Sequence, residues 1–273
     1  MSVACAVAAW LALAVPAGGR AAPAAGCQGV ALRGSFTEVL GSRATGHVEY
    51  TLRLKNITSR ACTVAGRPSL QLLGQSGQPL PTDVMPLEPP RVASAVTLWP
   101  GTSARAVVVL RVDIPGRGDV EQPGQPCQPT AATLRIDVSG GTSTLVPLQP
   151  ATPVCESGSI SLRELVGVEQ QDYFRSPSGV ECELAVNAGK ISALAYCETV
   201  SPPRSVTMSA SGKLKICRSG GCLSNAPLNV SVLAYGHQTT LGPFRCQSSR
   251  SGVRCRVPSG RGLRIGRSGI ERL

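Results

Sequence analysis

The chain has 273 residues and a formal net charge of +11, and aromatic residues make up only 3% of it. So few rings exclude a core built mainly from large aromatic side chains, and disulfides are therefore expected to matter more than usual for stability. The 30 glycines and 22 prolines separate short apolar runs, and no long stretch repeats every 3.6 residues. This composition excludes a mainly helical protein and predicts an all-β one.

An apolar run over residues 3–15 opens the chain, and a small-residue stretch that ends at Ala24 follows it. The pattern predicts a secretory signal peptide over residues 1–24, although no Lys or Arg precedes the run. The run is too short to span a membrane, which takes about 20 apolar residues. Lipid attachment at Cys27 is the alternative, but it would leave an odd number of thiols in the first half. We expect a secreted or extracytoplasmic protein with no transmembrane segment in its mature chain.

Ten cysteines follow the predicted leader in two even groups. Four lie in the first group and six in the second: Cys27, Cys62, Cys127, Cys155, and then Cys182, Cys197, Cys217, Cys222, Cys246, Cys255. Even groups in an exported chain are typical of disulfide-bonded domains. We therefore predict a four-cysteine β-sandwich domain at 25–165, a linker at 166–172 and a six-cysteine β domain at 173–273.

Residues 47–55 give the clearest strand of the first domain, because apolar and polar side chains alternate along it. Similar runs recur at 69–73, 93–99, 104–112, 133–138, 144–148 and 159–165, and this number of short strands predicts an Ig-like β-sandwich. Cys27 and Cys155 each open a predicted strand at opposite ends of the domain. If the first and last strands are neighbours, Cys27 pairs with Cys155, which leaves Cys62 for Cys127.

Two hairpins are predicted in the second domain, at 179–197 and 244–257, and each carries one cysteine on either strand. We expect Cys182 to pair with Cys197, Cys246 with Cys255, and the remaining Cys217 with Cys222. A four-thiolate zinc site at Cys217, Cys222, Cys246 and Cys255 is the alternative. It lacks the usual Cys-x2-Cys spacing, so disulfides are preferred and no metal or cofactor is expected.

Several segments carry a resemblance to known families. The opening Cys27, LKNITSRACTVAGRPSLQLLGQSGQPLP, VTLWPGTSARAVVVL, and Cys127 before LRIDV resemble an uncharacterised family of exported actinobacterial β-sandwich domains with four cysteines. YFRSPSGVEC, LAYGHQTTLGPFRC, SGVRC and GRGLRIGRSG resemble a second uncharacterised secreted family with six cysteines. The second match departs from its family at Val180, where Asn is common, and at Arg261 and Leu263, which replace His and Phe. Both resemblances imply export, fold and disulfides, and neither implies an activity.

No catalytic residue is predicted. The two histidines, His47 and His237, both fall at predicted surface positions, and neither a Gly-x-Ser-x-Gly elbow nor a His-Glu-x-x-His motif occurs. Glu181 and Glu183 share one strand face and resemble a carboxylate pair, yet solvated glutamates are common on such strands. We therefore expect a protein that is not an enzyme.

Charge is the least even feature of the chain. Residues 28–165 carry a net charge of +2, and residues 166–273 carry +8. Strand alternation turns four arginines to one side of the second domain: Arg245, Arg254, Arg256 and Arg264. Such a face suits an anionic cell-envelope polymer, lipid headgroups or an acidic protein, whereas the scarcity of aromatic residues disfavours nucleic acid. A purely solubilising role for these charges is the alternative.

These features predict a secreted, non-catalytic, envelope-associated binding or structural module that contacts anionic polymer or lipid through this arginine face. The alternative is a secreted inhibitor or ligand-binding protein that inserts the disulfide-held loop from Cys217 to Cys222 into a partner. The two differ in salt dependence, since binding by several arginines weakens steeply with salt.

Overall fold

The computed structural model describes residues 24–44, 46–89, 95–112, 127, 130–138, 142–189, 191–224, 227 and 230–273. The predicted signal peptide lies outside these residues, apart from Ala24. Strands make up more than half of the described residues and helical turns only 4% of them, which confirms the all-β class. None of its helical segments has the length and apolarity that a membrane span requires.

Within the described residues, eleven strands form the first module. They are β1 (Leu32–Glu38), β2 (His47–Asn56), β3 (Cys62–Val64), β4 (Ser69–Leu73), β5 (Asp83–Pro86), β6 (Val96–Leu98), β7 (Ser103–Arg111), β8 (Ala131–Asp137), β9 (Ser143–Thr152), β10 (Ser159–Leu162) and β11 (Val166–Gly167). One sheet has the order β1-β2-β7-β10-β5, with β11 also paired to β7, and the others are β4-β8-β9 and β3-β6. A single 3-10 turn lies at Gly29–Ala31, and Cys155–Gly158 form a turn in which Glu156 and Ser157 have positive φ.

The core of the first module lies between these sheets. Alternate residues of β2, including Tyr50 and Leu52, are fully buried, and Leu134 of β8 belongs to the same cluster. The ring of Phe36 on β1 stacks on Tyr50 with 4.4 Å between centroids. Alternation along β2 therefore buries one face, as the sequence predicts.

In the described part of the second module there are eleven further strands. They are β12 (Gln170–Arg175), β13 (Val180–Ala188), β14 (Ile191–Thr199), β15 (Arg204–Ser209), β16 (Leu214–Cys217), β17 (Ser231–Val232), β18 (Gln238–Leu241), β19 (Phe244–Ser249), β20 (Gly252–Arg256), β21 (Gly262–Gly266) and β22 (Gly269–Arg272). The sheet orders are β16-β15-β14-β13-β12-β17 and β18-β19-β20-β21-β22. A short 3-10 turn spans Gly220–Cys222. Side chains of both sheets, such as Leu184 and Leu263, meet in one core.

The disulfides of the first module differ from the expected pairs. Cys27 bonds to Cys62 and Cys127 bonds to Cys155, so the predicted pairs Cys27 with Cys155 and Cys62 with Cys127 are wrong. The prediction required neighbouring first and last strands, but β2 and β7 separate β1 from β10. Cys27 instead lies beside β3, where its N–H donates to the Thr63 carbonyl at 2.9 Å. The sulfur of Cys27 is bonded to that of Cys62, so lipid attachment at Cys27 would require this disulfide to break.

The expected linker at 166–172 is largely taken up by strands. Strand β11 pairs with Arg105 and Ala104 of β7, and β12 already starts at Gln170. Trp99, from the loop after β6, packs against the core of the second module. At Gly242, which has a φ of +59°, an added Cβ would lie 3.4 Å from the Trp99 ring. The two modules therefore contact each other directly.

Candidate functional site

The predicted arginine face lies on the outer surface of the sheet β18–β22. Along β19 and β20, Phe244, Cys246 and Cys255 are buried, while the intervening Arg245 and Arg254 are exposed. Arg256 is exposed on the same side, and Arg264 of β21 is half-buried. The alternation follows from the need to bury one side of each strand against the core and expose the other. All four arginines predicted to share a face do so.

Register across the strands brings the arginines into two pairs. Arg245 lies opposite Arg256, and Arg254 lies opposite Arg264. Arg264 donates a hydrogen bond of 2.5 Å to Glu271, which raises the pKa of its guanidinium. Within the described residues, no carboxylate lies within 4.0 Å of the other three guanidinium groups. Arg245, Arg254 and Arg256 thus form an unneutralised positive patch.

A groove of about 510 Å³ lies at the end of this patch formed by Arg245 and Arg256. Arg245 and Arg256 line it together with Pro258, and the opposite wall comes from the first module through Ser59 and Pro100. We call this space the interdomain groove. Its volume lies within the range of about 300–1,000 Å³ that is common for ligand pockets. It combines apolar walls with two free cations, which suits an anionic ligand with apolar parts.

The other sheet of the second module, β16-β15-β14-β13-β12-β17, carries carboxylates that already contact neighbouring side chains. Glu181 forms an ion pair with Arg175 at 2.6 Å, and Glu183 accepts a hydrogen bond of 3.1 Å from the Tyr173 hydroxyl. Burial raises the pKa of Tyr173, and the hydrogen bond to Glu183 raises it further. The predicted pair Glu181 and Glu183 is therefore occupied by its own neighbours.

Glu198 extends this group and is 3% exposed. Its carboxylate accepts hydrogen bonds from the Tyr196 hydroxyl and, at 2.8 Å, from the Ser224 backbone N–H. Burial, followed by the hydrogen bond to Glu198, raises the pKa of Tyr196. The cavity at this point measures only about 10 Å³, which is roughly the space of one water molecule. This side offers little room for a ligand.

The cysteines of the second module form the three expected pairs, Cys182 with Cys197, Cys217 with Cys222, and Cys246 with Cys255. The sulfurs of Cys182, Cys197 and Cys255 lie within 4.8 Å of one another in the core. The four cysteines of the zinc alternative are divided between a surface turn and this core, and each sulfur is bonded to another.

Three features of the surface were not predicted from the sequence. Glu271 neutralises Arg264, Ser59 lines the interdomain groove, and a second pair of exposed arginines, Arg53 and Arg105, lies across β2 and β7. Alternation along residues 47–55 already places Arg53 on the solvent side, but its position opposite Arg105 depends on the pairing of β2 with β7. The other two depend on strand pairing and on contact between the modules.

Comparison with known proteins identifies one family. The model of the domain of unknown function DUF4232 matches residues 27–165, which covers strands β1 to β10 of the first module. No curated protein and no solved structure matches the chain. The matched segment covers half of the chain and ends where the predicted four-cysteine domain ends. The chain therefore belongs to the family defined by the domain of unknown function DUF4232.

Proposed function

We propose that this protein is an exported, non-catalytic binding module that holds an anionic ligand of the cell envelope on its arginine face. The observation that carries the proposal is the exposure of Arg245, Arg254 and Arg256 on one sheet face with no described carboxylate in reach. Five disulfides support the extracytoplasmic location, because thiols pair stably outside the reducing cytosol.

Electrostatics predict how the arginine face binds. Arg264 is neutralised by Glu271, which leaves three arginines to contact an anionic polymer. At about 0.7 to 0.9 counterions released per contact, log affinity falls with log salt at a slope of about −2 to −3. Affinity therefore drops by about 20- to 40-fold between about 50 and about 200 mM salt. Such a dependence separates binding by charge from binding by shape.

The test compares two charge reversals of equal size. The double variant Arg254→Glu/Arg256→Glu reverses two of the three charges of the patch. The control is the double variant Arg53→Glu/Arg105→Glu, which makes the same charge change at two exposed arginines of the first module. We expect the first variant to bind polyphosphate with a slope shallower than about −1, and the control to keep the original slope. Calorimetric titration over a series of salt concentrations measures both. Unchanged binding by the first variant contradicts the proposal.

The inhibitor alternative has one observation in its favour. The carbonyl of Cys222 accepts hydrogen bonds from Tyr196 at 2.8 Å and Ser205 at 3.0 Å, which fixes the base of the disulfide loop, while Arg218 and Ser219 are exposed at its tip. A loop held in this way loses little entropy on inserting into a cleft. Arg218→Ala abolishes binding to a protein partner under this alternative, but changes polyphosphate binding by less than about twofold under the proposal.

A further inference from the structure

We infer that the interdomain groove is where the ligand is held, and that this ligand is a linear polymer of phosphate groups. The inference rests on the proposed function, because it requires the arginine face to bind anions. Beyond that function, the first module takes a direct part in binding, because its Ser59 and Pro100 line the groove that holds the phosphate polymer.

The strongest cationic point of the arginine face lies in the groove. Arg245 and Arg256 both line it and stand directly opposite each other on β19 and β20. Opposite residues of antiparallel strands have Cα atoms about 4.5–5.5 Å apart, and like charges placed there repel each other. Neither arginine has an ion-pair partner among the described residues. An anion between the two guanidinium groups would relieve this repulsion, and these two arginines, unlike the opposed pair Arg53 and Arg105 of the first module, line a groove that can hold one.

The paired guanidinium groups favour phosphate over carboxylate. Each arginine offers a planar fork of N–H donors, and forks on either side of one group need acceptor oxygens that point in different directions. A phosphate presents its oxygens tetrahedrally around phosphorus, whereas a carboxylate holds both oxygens in one plane. Arg245 and Arg256 can therefore share one phosphate group more completely than one carboxylate.

The wall supplied by the first module is held rigidly in place. Asn56 is fully buried, and its amide donates to the carbonyls of Arg60 at 2.7 Å and Leu98 at 2.8 Å, which fixes the turn that carries Ser59. Pro100 follows Trp99, which packs on the core of the second module. The groove is thus formed before a ligand enters, which lowers the entropic cost of binding.

The shape of the groove selects a thin chain. Its two walls come from different modules, so a ligand that contacts Arg245 and Arg256 together with Ser59 lies between them, which a thin chain does more readily than a flat bilayer surface. Nucleic acid would require exposed rings for its bases to stack on, but among the described residues that line the groove the one aromatic, Phe244, is 1% exposed. A flexible phosphate chain fits both conditions.

The test places a carboxylate on the first-module wall and leaves every arginine unchanged. Ser59→Glu does this at an exposed residue, and Gln75→Glu makes the same charge change at an exposed position outside the groove. The probe is linear polyphosphate, with phosphatidylglycerol vesicles and polyglutamate for comparison. Of the two tryptophans in the chain, Trp10 falls in the predicted signal peptide, so the emission of the mature protein comes from Trp99, which lies beside Pro100 and Gly242 of the groove.

We expect polyphosphate to change Trp99 emission in a saturable manner, and Ser59→Glu to weaken binding by about tenfold while Gln75→Glu changes it by less than about twofold. Equal binding by these two variants, with binding still lost on reversal of Arg254 and Arg256, would overturn the groove and leave the proposed function intact. Vesicles or polyglutamate that bind as tightly as polyphosphate would overturn the ligand class. Binding that survives the arginine reversal would overturn both the inference and the proposed function.

Discussion

Two disulfides cross-link the core of the second module, and loss of either one should destabilise it by about 3 kcal/mol. Cys182 and Cys197 are separated by 15 residues, and Cys246 and Cys255 by 9. Closing loops of these lengths in the unfolded chain corresponds to about 3.0 and about 2.6 kcal/mol on the chain-entropy model. All four cysteines are at most 4% exposed, so the packing lost with each sulfur adds to these values.

The two bridges contact each other, so their contributions to the free energy of unfolding should not be additive. The sulfurs of Cys182, Cys197 and Cys255 lie within 4.8 Å of one another, so neither bridge is removed without changing the surroundings of the other. The free energy lost in the quadruple Cys→Ala variant should therefore differ from the sum of the two double variants by about 0.5–3 kcal/mol.

Urea unfolding of the two double variants and the quadruple variant measures these energies. With a denaturant slope of about 2 kcal/mol/M, each double variant should unfold at about 1.5 M less urea. Removal of the surface bridge between Cys217 and Cys222 is the control, and its cost should add to that of either core bridge. A loss below about 1 kcal/mol for a core pair, or strict additivity in the quadruple variant, would refute this account of the core.

Two further predictions follow from buried contacts. Burial holds the pKa of Tyr196 above the unfolded value of about 10, so the folded state favours the protonated phenol, and the free energy of unfolding should fall as pH rises above about 10. Tyr196→Phe should show a smaller fall between about pH 9 and 11 in urea titrations, and an equal fall would contradict this assignment. Trp99→Ala should cost about 2 kcal/mol and separate the unfolding transitions of the two modules in calorimetry, because Trp99 packs on the core of the second. A single unshifted transition would argue against that contact.

Local patterns in the sequence were sufficient wherever the structure is decided by neighbouring residues. Alternation along residues 47–55 and 244–256 predicts which side chains are buried, because the side-chain period of a strand is fixed at two. The pairs Cys182 with Cys197 and Cys246 with Cys255 are predictable for the same reason, since a hairpin places its two cysteines directly opposite each other.

Long-range order was the part that could not be read from local patterns. The partner of Cys27 depends on whether β10 lies next to β1, and nothing near either strand reports that β2 and β7 come between them. The interdomain groove likewise requires Ser59 to approach Arg256 across nearly two hundred residues of chain. Non-local contacts of this kind are set by packing of whole sheets rather than by propensity.

The distribution of charge within the second module argues against a purely solubilising role for its arginines. Solubility is served best when both signs are interspersed over the surface. Here Glu181, Glu183 and Glu198 lie on strands of one sheet, while Glu271 is the one acidic residue among the described strands of the other. Glu181 and Glu183 are engaged by Arg175 and Tyr173 of the neighbouring strand, whereas Arg245 and Arg256 are opposed without a counter-charge among the described residues. Arg53 and Arg105 of the first module are opposed in the same way, so it is the groove beside Arg245 and Arg256, and not their opposition alone, that favours an anionic ligand at this pair.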